Sequence, residues 1–296
     1  MIPIPSSKAV QDILCLDQEP QFIDSGGFKV VYRLGTPSGQ EVLKAVYIPP
    51  SVGEEEDIER AQLIARAERE IVALSECKSP YLVKLGSFTP AMHTIEDNDY
   101  LVYSEEYLPG QTLSSWINRD TAPSFRELLG VFNSLISLIR NLSEAGYLHR
   151  DIKPANIIDT GLQKRPYVLL DLGIAYKIHG TELTLGGSPP GTLRYMAPEL
   201  LKPDYKNVMD FRCDLYAAGL TVYVVASGIH PFAPKPEHEY ATVYRILKER
   251  PLALASLRTD LPTAFCCIID RCIRKKPALR YARLNLIEDA LQEVGV

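Results

Sequence analysis

An acid, an amide and a lysine crowd one short stretch of this sequence, HRDIKPANII (His149–Ile158), which places Asp151, Lys153 and Asn156 within a few residues of each other. A further acid, Asp171, ends the apolar run of YVLLDLG. Upstream, IDSGGFKVVYRL (Ile23 to Leu34) looks like the start of a phosphate-binding loop that has lost two of its glycines, with Lys29 standing where a glycine would be wanted. In EVLKAVYI the side chains alternate with period two, so Val42, Lys44 and Val46 share one strand face and Lys44 points along that wall. Taken singly, Asp151, Asn156 or Asp171 reads as a surface turn residue. As a set, acids, an amide, lysines and a glycine turn suit the handling of a phosphate.

The elements that position these residues change character along the chain. GGFKVVYRL and QEVLKAVYI are β-rich and joined by the turn formers of GTPSGQ, which predicts a hairpin. EEEDIERAQLIARAEREIVALSEC has an acidic first turn and repeats Leu63, Ala67, Glu70 and Leu74 on one helical face, ending before Pro80. YLVKLGSF and DYLVYSEEYL read as two further strands flanking a polar connection at His93 to Asp99. After LPGQTL, long apolar-periodic segments take over, and the boundary falls near Glu106 to Gly110. One of them, DLYAAGLTVYVVASG, is apolar nearly all round, as expected of a helix at the centre of a core.

HRDIKPANII matches the H-R-D-L-x-x-x-N pattern of protein-kinase catalytic loops with Ile152 for Leu, YVLLDLG resembles the D-F-G site with Leu172 for Phe, and GTLRYMAPE (Gly191 to Glu199) resembles the end of a kinase activation loop. In that order and with fitting gaps, the motifs resemble the eukaryotic-type (Hanks-type) Ser/Thr protein kinase family, from about Phe22 to Arg280. The resemblance implies a bilobal α+β protein-kinase-like fold: residues 1–20 as an N-terminal extension, 21–106 as an N-lobe of antiparallel sheet with one long helix, and 107–296 as a larger, mainly helical C-lobe. ATP would lie in the cleft between the lobes.

The same resemblance implies roles. Phosphoryl transfer is mainly positioning and charge neutralisation around the γ-phosphate. Asp151 would accept or orient the proton of the substrate hydroxyl, Lys153 would reach the transferred phosphoryl, and Asn156 and Asp171 would hold Mg²⁺. Lys44 corresponds to the β3 lysine, with Glu70 as its helix partner and Glu68 as the alternative. Glu106 and Leu108 would meet the adenine edge through their backbone, beside Ile23, Val31, Val42 and Ile158. That alignment puts Glu105 at the gatekeeper position, normally apolar. Either it faces the back of the pocket, where burial would raise its pKa unless a cation satisfies it, or the register is off by one.

Laid on G-x-G-x-x-G-x-V, Gly26 is the middle glycine, Asp24 replaces the first and Lys29 the third, while Gly26, Gly27 and Phe28 can still offer amides to phosphate. With-no-lysine kinases resemble this sequence in the loop lysine but lack the β3 lysine. Lys44 is therefore expected as the main phosphate contact and Lys29 as an auxiliary one. Asp214 and Gly219 of DLYAAG resemble the D-x-W-S-x-G helix start with Tyr216 for Trp, and Glu199 and Arg280 resemble an ion pair anchoring the activation segment. Thr181, Thr184 and Ser188 are candidate phosphorylation sites near Arg150, Thr184 foremost, while Thr192 reads as part of the substrate floor.

Composition bounds the alternatives. At 296 residues, 46% hydrophobic and 23% charged, the chain has an ordinary globular make-up, and a net charge of -5 without a basic run argues against nucleic acid. There is no signal peptide and no apolar run of the ~18 residues a membrane span needs, so a cytoplasmic protein with protein substrates, and room for a regulatory protein, is expected. The six cysteines, including Cys266, Cys267 and Cys272, lack C-x-x-C spacing and read as core thiols. A pseudokinase scaffold would need a disabled position, yet Lys44, Asp151, Asn156 and Asp171 are all present. A small-molecule kinase would lack the GTLRYMAPE and DLYAAG elements. The reading is a Mg-ATP-dependent Ser/Thr protein kinase.

Overall fold

The computed structural model describes residues 2–37, 39–51, 53–172, 176–177, 193–202, 205, 209–234 and 238–295. The chain forms two units, one built on Met1–Glu76 with Val83–Leu108, the other on Cys77–Leu82 with most of the chain after Pro109.

The first unit is a five-stranded antiparallel sheet in the order β1-β2-β3-β5-β4. Its strands are β1 (Gln21–Gly26), β2 (Lys29–Thr36), β3 (Gly39–Ile48), β4 (Ala91–Ile95) and β5 (Asn98–Glu106). Period-two alternation sorts the side chains onto two buried faces. Val30, Tyr32, Leu34, Leu43, Ala45, Tyr100 and Val102 pack on one face. Val46, Ile48, Leu101 and Tyr103 pack on the other, against Leu63 and Ala67 of the long helix α2 (Glu54–Glu76). The face repeat of Leu63, Ala67, Glu70 and Leu74 is thus a buried one.

Residues set apart in the sequence as an extension belong to this core. Helix α1 (Ser7–Leu14) is N-capped by Ser6, whose side chain accepts from the Ala9 amide, and it seats Val10 in the first face. The hydroxyls of Tyr32 and Tyr100 donate to the carbonyls of Pro5 and Pro3, and Ser6 Oγ donates to Glu96 Oε1 at 2.6 Å.

The expected strand over YLVKLGSF is not formed. Leu82 makes an isolated bridge to Leu169 and Leu85 one to Glu105, so the stretch never builds a ladder of its own. A strand instead lies at Ala91–Ile95, overlapping the start of the expected polar connection at His93 to Asp99, and turns back to β5 through Glu96 and Asp97, both at positive φ (48° and 62°). A two-residue turn of that hand usually advertises itself by Asn-Gly or Asp-Gly, and Glu-Asp gives no such signal.

The second unit is mainly helical: α3 (Phe125–Glu144), α4 (Phe211–Ser227), α5 (Glu239–Lys248), α6 (Leu254–Leu257), α7 (Thr263–Cys272) and α8 (Leu284–Gly295). A capping box starts α3, in which Ser124 Oγ accepts from the Glu127 amide while the Glu127 side chain accepts from the Ser124 amide. Every residue from Cys213 to Ala226 in α4 is buried, which is why that segment is apolar all round. Gly219 lets α7 close on α4, since a Cβ there would lie 2.6 Å from Cys272 Cβ. Cys266 and Cys272 are buried in α7 and Cys267 is exposed; all six cysteines are free thiols. Short strands β6 (Gln111–Thr112), β8 (Ile157–Asp159) and β9 (Tyr167–Leu169) form a small sheet, and β7 (Tyr147–Leu148) pairs with β10 (Tyr176–Lys177). No helix of the described residues is long and apolar enough to cross a membrane.

Candidate active site

In the second unit the loop between β7 and β8 is held from below by Asp214, which accepts from the backbone amides of His149 and Arg150, both at 2.8 Å. Burial pushes the Asp214 carboxyl up, while the His149 ring and the two amides oppose the shift. This grip fixes Arg150 at positive φ (66°) and turns the next residue, Asp151, outward from the core. Asp151 Oδ2 then accepts from Lys153 Nζ at 2.7 Å and from Asn156 Nδ2 at 2.9 Å. Asn156 Nδ2 also donates to the Asp151 carbonyl at 3.0 Å.

These two bonds fix the orientation of the Asn156 amide, so its carbonyl oxygen is the atom turned away from Asp151. Asp171 follows β9 and adopts φ 58°, a left-handed conformation uncommon for non-glycine residues and tolerated best by Asn and Asp. The Leu170 amide, just before it, donates to the backbone carbonyl of Asn156 at 2.7 Å and ties the two segments together. An amide oxygen and a carboxylate are the donors that a hard divalent cation takes, and so Asn156 and Asp171 fit Mg²⁺.

The anchoring pair is also in place. Arg280, fully buried, donates to both oxygens of Glu199, at 2.5 and 2.7 Å, and to the carbonyls of Arg212 and Arg274 at 2.8 Å. Its guanidinium lies 4.8 Å from the centre of the Tyr216 ring, so the tyrosine that stands for tryptophan stacks on the ion pair. His230 holds the neighbouring segment: Nε2 donates to the Arg194 carbonyl at 3.0 Å, and Nδ1 accepts from the Phe232 and Ala233 amides. Thr181, Thr184, Ser188 and Thr192 lie outside the described residues.

In the first unit, β1 and β2 meet at a two-residue turn, Gly27 and Phe28, between the paired Gly26 and Lys29. Gly27 has φ 58°, which is the local reason for glycine there. Ile23 is exposed on β1, Val31 and Val42 are half-buried on one sheet face, Glu106 is half-buried and Leu108 is buried. In the second unit Ile158 is half-buried on β8.

Lys44 lies on the same face as Val42 and Val46, opposite Val31 on β2 and Tyr103 on β5. Glu70 is buried and faces it, whereas Glu68 is exposed. The pairing is not the simple one expected. Glu70 receives Lys29 Nζ at 2.7 and 3.0 Å, and Lys44 Nζ only at 3.5 Å. Lys44 donates instead to Glu105 Oε1 at 2.6 Å. Glu105 therefore faces inward, on the strand opposite Val42. Burial pushes its carboxyl up, and the Lys44 ammonium draws it back. Lys29 points neither to open solvent nor away from the sheet; it is the close partner of Glu70. Sequence reasoning missed this pair, although alternation from Val31 would have put Lys29 on the Lys44 face.

The protein kinase domain family matches residues 21–293. The chain belongs to that family. It is 28% identical over 280 residues to the serine/threonine-protein kinase pkn3 of Myxococcus xanthus, covering 92% of this chain and 48% of that protein. It is 29% identical over 272 residues to the probable serine/threonine-protein kinase PknB of Bifidobacterium longum, covering 88% and 37%. The chain thus spans less than half the length of these relatives. The crystal structure of the Mycobacterium tuberculosis PknI kinase domain has the same fold, with a TM-score of 0.62 at 20% identity over 92% of this chain and 94% of that one. The architecture is the α+β protein kinase fold.

Proposed function

We propose that this protein kinase domain transfers the γ-phosphoryl group of ATP, with Mg²⁺, to serine or threonine hydroxyls of protein substrates. The observation that carries the reading is the Asp151 carboxylate, steadied by Lys153 and Asn156 on a loop that Asp214 grips from the core.

Asp151 orients the attacking hydroxyl and takes its proton as the new P–O bond forms and the bond to the ADP oxygen breaks. Lys153 sits where it can neutralise the oxygens of the group in transfer, and Lys44 is the lysine for the non-transferred phosphates, with Glu70 in its surroundings. Asn156 and Asp171 would hold Mg²⁺, which would supply charge neutralisation for the phosphates. Gly26, Gly27 and Phe28 offer amides to the phosphates, while the Lys29 ammonium is engaged by Glu70; Ile23, Val31 and Val42 in the first unit, and Ile158 in the second, are each an apolar contact for the base, and the backbone of Glu106 and Leu108 is the partner for its edge. Free thiols and a need for ATP fit a cytoplasmic setting.

Incubation of the purified chain with Mg-ATP and a generic basic protein, followed by mass spectrometry of the acceptor, tests the reading. Phosphoserine or phosphothreonine that depends on the enzyme supports it. An unmodified acceptor together with an unmodified enzyme would refute it.

A further inference from the structure

Lys44 has the buried carboxylates of Glu70 and Glu105 within reach, and the nearer of the two is not on the helix. Its ammonium is 2.6 Å from Glu105 Oε1 and 3.5 Å from Glu70 Oε1. Charge-assisted N–H···O bonds are strongest near 2.7–2.9 Å, so the directional hold on Lys44 comes from Glu105, and Glu70 contributes mainly charge. Glu70 has its own close partner, since both of its oxygens receive Lys29.

The strand register produces this arrangement. Lys29 pairs with Val46, Val31 with Lys44, and on the other side Tyr103 with Lys44 and Glu105 with Val42. Lys29 and Glu105 are therefore diagonal neighbours of Lys44 on one sheet face, displaced in opposite directions along β3. The ammoniums of Lys29 and Lys44 beside them are what lets Glu70 and Glu105 be only 1% and 2% exposed. Among the groups facing Lys44 are Glu105 and the Tyr103 ring from β5, Glu70 from α2 and Lys29 from β2.

We propose that Glu105 is the positioning residue for Lys44, and that Lys29 keeps Glu70 in place beside them; the proposal rests on the phosphotransfer reading above. A lysine on a four-carbon stem samples many rotamers, and a bond from a rigid central strand selects the one that presents the ammonium. Work that a helix carboxylate would do is thereby moved into the sheet.

The test compares Glu105→Gln and Glu70→Gln in the full chain, with kcat and KM for ATP measured in the native and Lys44→Ala backgrounds. Glu105→Gln is expected to lower kcat/KM for ATP at least ~10-fold, more than Glu70→Gln does, and to add little once Lys44 is gone. A wild-type-like Glu105→Gln, or a loss undiminished by Lys44→Ala, would overturn the proposal. A second readout needs no turnover: competitive acylation with acetic anhydride, mapped by mass spectrometry. Without its carboxylate the buried ammonium gives up its proton more readily, so Lys44 should acylate about threefold faster or more in Glu105→Gln, with the exposed Lys8 as internal control. Unchanged Lys44 labelling would overturn the proposal by itself. If the native chain transfers no phosphate, the phosphotransfer reading fails, and the labelling still decides whether Glu105 holds Lys44.

Discussion

Lys44 and Glu105 form a buried ion pair, 2.6 Å long, between neighbouring strands of the sheet. Removing one partner of such a pair leaves the other without compensation in an apolar setting, at a cost of about 3–5 kcal/mol. Lys44→Met is thus expected to lower the denaturant midpoint as well as activity, because Glu105 must then protonate or draw in water. Adding Glu105→Leu should return most of the stability and none of the activity. Denaturant unfolding of the single and double variants checks this; a double variant no more stable than Lys44→Met would contradict it.

Glu199 and Arg280 invite the corresponding experiment in the other unit. Arg280→Leu strands the buried Glu199 carboxylate and frees the carbonyls of Arg212 and Arg274 that the guanidinium now satisfies. A loss of about 3–5 kcal/mol is expected, with the Tyr216 environment perturbed because its stacking partner is gone. Near-ultraviolet circular dichroism and denaturant midpoints together measure both effects.

His230 sets an acid limit on stability. Burial lowers its pKa from 6.5 to about 4, the Arg194 charge adding to the shift and the bond to the Arg194 carbonyl opposing it. The folded state therefore binds fewer protons than the unfolded state between these values, and stability is lost as pH falls through that window. Above 6.5 the histidine is neutral in both states and contributes no slope. His230→Gln should flatten the pH dependence between about 6.5 and 4 while leaving the rest of the acid limb in place, as read from thermal midpoints across pH.

Much of this was legible before any coordinates. Asp151, Lys153 and Asn156 lie in one short loop, so their spacing in the chain already carried their mutual geometry. The apolar periodicity of α3 and α4 carried their burial for the same reason. What escaped was non-local. The strand at Ala91–Ile95 is short and mostly exposed at the sheet edge, and only its partner β5 makes it a strand. The choice of Glu105 over Glu70 by Lys44 depends on the lateral register of three strands, which no single segment encodes. The seating of α1 on the sheet rests on the tyrosine hydroxyls of Tyr32 and Tyr100, far away in sequence.

The central claim is that Asp151 is the group that acts on the hydroxyl nucleophile. The measurement that tests it most directly is the single-turnover rate of transfer from saturating Mg-ATP to a protein acceptor, for the native chain and Asp151→Asn, with nucleotide affinity determined for both. A drop of about 10²–10⁴-fold in rate with nearly unchanged nucleotide affinity is the predicted result. Wild-type transfer by Asp151→Asn would contradict the account.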